Sequence, residues 1–543
     1  MKRTISIVAV LVVCVLVSML VLTACNREHK LNMDENLQAN LIDDNYRTFY
    51  EIFVGGFSDS NGDGVGDIRG LINRLDYLND GDPNSGKSLG ITGIWLMPIM
   101  QSPSYHKYDV TDYKSVDTKY GTLDDVKELV QECHKRGIKL IIDLVLNHTA
   151  AWNEWFLLAQ QAIKKGDVDS KYYDYYTKST KKETAYWYEF AKDPSGQQWY
   201  YEGNFSSGMP ELNYDNENVK KEVEEIVKFW LNDVGVDGFR LDAVRYIYLN
   251  DTTRNVDFLT WFREFCQSIK PDVYIVGEDW NNTTEELNYY KAIDVFNFGM
   301  GNNVINALQG QLISSFAESL VDYYNAAKAA RSDAILQPFL SNHDQDRIAG
   351  NGYFIGKGEK GKTTFLSANA KMAANLYILS PGNPFIYYGE EIGMMGSRGT
   401  ASTDANRRLA MLWGDKDTVQ DPADASYRKE KQTNGTVKSQ ISDANSLYNH
   451  YKLLIAIRNA NPEIARGDIE IVSGFGSSST VCVLKFTYKG SVVYVVHNIS
   501  NYDAEINLSS LNISGLRALA GEGGGSLNGA TLTLGGKTSA VLK

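Results

Sequence analysis

Cysteine is scarce in this chain. It has 5 in 543 residues, and Cys133, Cys266 and Cys482 lie far apart. Their odd number and wide spacing exclude a disulfide framework and a cysteine metal cluster, so all three are expected as buried free thiols. Basic charge is also in deficit. Lys and Arg total 54 against 67 Asp and Glu, a formal net charge of −13. A nucleic-acid partner is therefore not expected, because such a surface carries a basic face. No internal repeat is visible.

The N-terminus is the most biased stretch. Lys2 and Arg3 precede the apolar run "ISIVAVLVVCVLVSMLVL" (Ile5–Leu22), followed by "LTAC" (Leu22–Cys25). A basic start, an apolar stretch and small residues before a cut mark a secretory signal. The run is also long enough to remain as an uncleaved membrane anchor. A Cys directly after Leu-x-Ala resembles the bacterial lipoprotein signal. That resemblance implies cleavage before Cys25, lipid on its thiol, and a chain held at the membrane facing outward. Residues 26–45 then read as a tether.

At 543 residues the chain is too long for one ordinary core, so two or three domains are expected. Short apolar runs recur at Arg47–Val54, Ile91–Ile99, Lys139–Leu146, Val236–Asp242, Val273–Glu278, Asp294–Phe298, Ile335–Asn342 and Pro384–Glu391. Apolar strands with little alternation suit a parallel sheet covered on both sides. Between them lie helical patterns. In Thr122–Gly137, Thr122 caps with Asp125 three residues on, Leu123, Val126, Leu129, Val130 and Cys133 share a face, and Gly137 is the stop. In Asn218–Gly235 the face is Val219, Val223, Ile226, Val227, Trp230 and Val234. Eight strands alternating with helices predict an α/β fold, a (β/α)₈ TIM barrel over residues 46–460. The long Tyr-, Trp- and Lys-rich stretch 149–214 predicts an inserted domain after strand 3. Residues 461–543, with short strands and Gly/Ser turns, predict a C-terminal all-β sandwich domain.

The stretch "GFSDSNGDGVGDIRG" (Gly56–Gly70) spaces oxygen ligands as a calcium loop does. Asp59, Asn61 and Asp63 alternate, Val65 offers a carbonyl, and Asp67 follows. The closing Glu of a sensor loop is missing, Gly70 standing in its place, and the preceding "TFYEIFVGGF" reads as a strand. A sensor is therefore not expected. A structural calcium site is favoured over an acidic turn that binds nothing.

Strand ends carry the chemistry in such a barrel. They present Asp143, Asn147 and His148, then Arg240 and Asp242, then Glu278, then His343 and Asp344. Two carboxylates in different environments are what glycosidic cleavage needs, one ionised to attack and one protonated to donate. Arg240, two residues before Asp242, projects to the same side and keeps it ionised. Burial after "VYIVG" suits Glu278 as the acid. Abundant Tyr (33) and Trp (9) are compatible with sugar faces, although such rings also fill cores.

"DLVLNH", "GFRLDAV", "GEDW" and "SNHD" resemble the four signature regions of the α-amylase family of glycoside hydrolases. "GITGIWLMPI" and "GNPFIYYGEEIGM" resemble its strand-2 and strand-8 regions, and the likeness runs from about Tyr46 to the C-terminus. It implies a retaining mechanism on α-glucans, with Asp242 as nucleophile, Glu278 as acid/base and Asp344 as the third carboxylate. Tyr108, His148, Arg240, His343 and Arg408 would bind the sugar. The likeness also implies Ca²⁺ in the Asp59–Asp67 loop as a staple. A second calcium of many α-amylases uses an Asn like Asn147 and a His where Tyr246 stands here, which leaves that site in question. "MPELN" (Met209–Asn213) resembles members between oligo-1,6-glucosidases and neopullulanases. Tyr105 replaces the Asp that grips a chain end in exo-acting relatives, and Lys107 stands where Gly is common. The leading expectation is a monomeric α-amylase on starch and maltooligosaccharides. An α-glucosidase, neopullulanase or 4-α-glucanotransferase is the alternative. A starch-binding surface protein with a dead barrel would have lost a catalytic carboxylate, and none is lost.

Overall fold

The structure is a computed structural model describing residues 44–280, 283–357, 363–399, 404–427, 429–475 and 479–543. The signal, Cys25 and residues 26–43 of the tether lie outside these residues, while its last two, Asp44 and Asn45, accept from Arg466 and Lys139. Seven parallel strands form one curled sheet: Phe49–Ile52, Gly93–Leu96, Lys139–Leu144, Gly238–Leu241, Tyr274–Gly277, Asp294–Val295 and Phe385–Tyr387. The first six pair one to the next in this order, and the seventh pairs back onto the first, Phe49 opposite Phe385.

The predicted strand at Ile335–Asn342 takes a different form. It joins its neighbours only through single parallel bridges, Phe296 to Gln337 and Phe339 to Phe385. Pro338 sits between those two bridges and has no N–H to donate, so no regular ladder forms. Its carbonyl still accepts from the Phe385 amide at 3.0 Å, and the (β/α)₈ ring closes. The ring's interior is aromatic. Phe49 stacks on Phe385 and Tyr274, with centroids 4.6 and 5.0 Å apart. Gly93 makes room for it, since a Cβ there would lie 2.5 Å from the Phe49 ring.

The helices follow their sequence signals. Leu123–Lys135 starts at a capping box of Thr122 and Asp125 and buries Val126, Leu129, Val130 and Cys133. The second helix runs Glu217–Lys228 and then widens to a π turn over Phe229–Val234. Trp230 is thereby turned inward, and its indole donates to the Tyr113 carbonyl at 2.8 Å. After the third strand, helix Glu154–Lys165 and a three-stranded antiparallel sheet form the insertion. The C-terminal part packs a five-stranded antiparallel sheet on a three-stranded one around Val483, Val496, Ile506, Leu532, Leu534 and Leu542. Cys133, Cys266 and Cys482 are buried and unpaired, as expected.

Candidate active site

Arg240 is the centre of the constellation. It is fully buried at the end of the fourth strand. Its Nη1 donates to Asp143 Oδ1 at 2.9 Å and to Asp242 Oδ1 at 2.7 Å. Its Nη2 lies 3.1 Å from Glu278 Oε2, an ion pair angled away from a hydrogen bond. A guanidinium can face three carboxylates at once only because successive strands deliver them to one rim, and its Nε and Nη2 are left without hydrogen-bond partners.

Each carboxylate has its own surroundings. Glu278 is pushed up from the ordinary range by burial, which the charge of Arg240 offsets only in part. One oxygen of Glu278 accepts from the Trp280 indole at 2.7 Å and the other from the Ala243 amide at 3.2 Å. Asp143 is pushed to about 7 by burial, again against Arg240. Asp344 goes the other way. Burial would raise it, but His343 and Arg408 outweigh burial and hold it far below the usual range. Arg408 Nη2 donates to Asp344 Oδ1 at 2.6 Å, and His343 Nε2 lies 3.1 Å from Oδ2.

Two imidazoles and one phenol complete the rim. His343 Nδ1 faces Glu51 Oε1 at 2.5 Å, and burial of its charge is outweighed by Asp344 and Glu51, so its pKa rises to about 9. The Tyr108 hydroxyl meets His343 Nε2 at 2.6 Å and Asp143 Oδ2 at 3.0 Å, and its ring stacks on His343 within 10° of parallel. His148 is driven down to about 4 by burial. Its Nε2 donates to the Tyr108 carbonyl at 3.2 Å. A cleft of about 1020 Å³ opens over these groups, walled by Tyr105, Phe205, Tyr246 and Trp280.

All eight expected rim residues therefore converge: Tyr108, His148, Arg240, Asp242, Glu278, His343, Asp344 and Arg408. Glu51 was not singled out by sequence, although a charge inside the apolar first strand was its signal. Trp280 and Phe205 were missed as cleft walls, and Phe205 carries no local mark.

No residue of the Asp59–Asp67 loop lines this cleft. Asp59 accepts from the amides of Asn61, Gly62 and Gly64 and from Thr418 Oγ1. Asp67 caps helix Ile68–Asn73 through Gly70 and accepts from Ser60. Among the described residues no three Asp, Glu, His or Cys side chains converge as a metal cluster. A cation here would therefore need the amide oxygen of Asn61 and the Val65 carbonyl beside the carboxylates. All these are hard oxygen donors and fit calcium. At the second locus, Asn147 donates to Glu211, and Tyr246 packs edge-on to Phe205 at 5.0 Å.

Residues 51–467 match the catalytic domain of alpha amylase. The chain is 38% identical over 476 residues to Alpha-amylase 3 of Dictyoglomus thermophilum, covering 85% of this chain and 86% of that protein. It is 28% identical over 552 residues to an oligo-1,6-glucosidase of Bacillus cereus, covering 86% and 94%. Among solved structures, Amy13B of Eubacterium rectale matches with a TM-score of 0.84 at 40% identity, over 93% of this chain and 97% of that one. Rim chemistry, barrel and similarity over most of the length agree, and the chain belongs to the α-amylase family of glycoside hydrolases.

Proposed function

We propose that the protein is a retaining α-amylase that cleaves α-1,4-glucosidic bonds in starch and maltooligosaccharides. The observation that carries this is the contrast between two carboxylates on neighbouring strands. Asp242 is bonded to a buried guanidinium, whereas Glu278 is buried, pushed up in pKa and gripped by an indole N–H. Asp242 attacks the anomeric carbon as an anion while Glu278 gives its proton to the leaving oxygen. The glycosyl ester on Asp242 is then hydrolysed by a water that returns its proton to Glu278. Asp344, fixed by Arg408 and His343, faces the cationic sugar ring of the transition state. Tyr108 offers its ring face to the sugar, His148 lines the cleft beside it, and His343 holds Tyr108 and Asp344 from behind.

Tyr105 stands where exo-acting relatives carry a chain-end-gripping Asp, and the cleft is open. Both features favour internal cleavage of long chains. In this reading the Asp59–Asp67 loop holds one calcium ion that neutralises crowded carboxylates and takes no part in the reaction. Cys25 carries a lipid that keeps the enzyme on the outer face of its membrane. Product analysis on starch, maltotriose, pullulan and sucrose tests the proposal. Maltooligosaccharides released from starch with α-configuration at the new reducing end are expected. Activity confined to sucrose or to the α-1,6 bonds of pullulan, with starch untouched, would overturn it.

A further inference from the structure

Lys107 is placed at a double cost. Its φ is 66°, in the left-handed region that suits glycine. It is also only 4% exposed, so its ammonium is withdrawn from water. Its three N–H donors all have acceptors. Nζ donates to the Ser104 carbonyl at 2.8 Å and the Ser102 carbonyl at 3.4 Å, and pairs with Asp117 Oδ2 at 2.8 Å. Asp117 is itself fixed, since its amide donates to the Ile99 carbonyl at 2.9 Å and its Oδ1 accepts from Lys119 at 3.0 Å. The lysine thus ties the turn over residues 102–108 to the connection that follows the second strand.

That turn presents three side chains to the cleft: Tyr105, His106 and Tyr108. The residue next to Lys107 holds both imidazoles of the rim. The Tyr108 hydroxyl meets His343, and the Tyr108 carbonyl accepts from His148. His106 reinforces the turn by accepting from the Tyr108 amide at 3.1 Å. We propose that Lys107 is a positioning residue: its buried ammonium, clamped by Asp117, sets the backbone so that Tyr108 aligns His343 and His148 against the substrate. Lys107 itself touches no sugar. A glycine would adopt the same φ without strain but would leave the turn untied. The proposal rests on the hydrolytic reading above.

A double-mutant cycle tests it, with maltotetraose as substrate and kcat, KM and melting temperature measured for each protein. Lys107→Met is expected to lose about tenfold or more in kcat/KM at temperatures far below melting. Tyr108→Ala is expected to lose more. The double variant should lose no more than Tyr108→Ala alone, because Lys107 acts through Tyr108. Losses that multiply, or a Lys107→Met variant with parental kcat/KM, would overturn the role. If Lys107→Met does not fold, Lys107→Gly, which relieves the backbone and removes the clamp, replaces it in the same cycle. A parent inactive on maltotetraose would count against the hydrolytic reading instead.

Discussion

Replacing Glu51 with Gln keeps the shape of that side chain and removes one charge from its buried pair with His343. Glu51 is 1% exposed and its partner 0%, with 2.5 Å between Oε1 and Nδ1. The imidazole rises from 6.5 to about 9 in the folded protein, a preference for the charged ring worth about 3 kcal/mol. Burial opposes that rise, so Asp344 and Glu51 together supply more than this, Asp344 the larger share. Losing Glu51 should lower the pKa of His343 back towards its ordinary value, with Asp344 still holding it up. A group raised on folding contributes stability that is complete below its unfolded pKa and fades as pH climbs through the folded value. For the parent the fade therefore runs from pH 6.5 to about 9, and in Glu51→Gln it should end at a lower pH. Melting temperature at half-unit steps across this window, with the His343 Cε1 proton followed by NMR, reads both quantities. Coincident melting curves and an unmoved His343 titration would refute the electrostatic account of this pair.

Asp242→Asn should abolish starch hydrolysis with the fold intact, because an amide cannot form the glycosyl ester; near-normal activity would remove Asp242 from its role. Glu278→Gln should spare substrates whose leaving groups need no proton, so equal losses on activated and natural substrates would count against the acid. A chelator should lower the melting temperature while low-temperature activity survives. Calcium at a hundredfold excess over Kd would contribute roughly 2.7 kcal/mol, and Asp63→Ala should abolish the effect. Immediate loss of activity without a change in melting would place the ion beside the rim instead. Cys25→Ser should release the enzyme from the membrane, and an uncleaved, membrane-bound variant would make the apolar run a true anchor.

Much of the barrel was readable because its strands are local apolar runs and its helices carry local caps. The Thr122–Asp125 capping box lies within four residues, and the structure contains it as read. The convergence of the carboxylates was readable for a related reason: each ends a strand, and strand ends share one rim. What stayed hidden depends on pairings that no local pattern encodes. Glu51 meets His343 across 292 residues. Phe205 becomes a wall only because the insertion folds back over His148 and Tyr246, with ring centres 5.2 and 5.0 Å away. Lys107 departs from a common glycine, and its pairing with Asp117, ten residues on and 2.8 Å away, depends on a turn that no local pattern marks. The Ile335–Asn342 strand was located correctly, but Pro338 reduced it to two bridges, a cost that apolarity alone does not reveal.

The closure of the strand ring has a consequence for how the chain is made. Phe49–Ile52 has one partner nearby at Gly93–Leu96 and the other at Phe385–Tyr387. The Arg47 amide likewise waits for Asn383 Oδ1, 336 residues later. At synthesis rates of about 5–20 residues per second, one edge of the "FYEI" strand lies open for roughly 20–70 seconds. A bare aromatic edge is a template for pairing with another copy, so this interval is when the chain is most exposed to aggregation. Asp242, Glu278 and Asp344 all emerge before Phe385. A chain stopped short of that strand would carry all three of these rim carboxylates and no ring to hold them together.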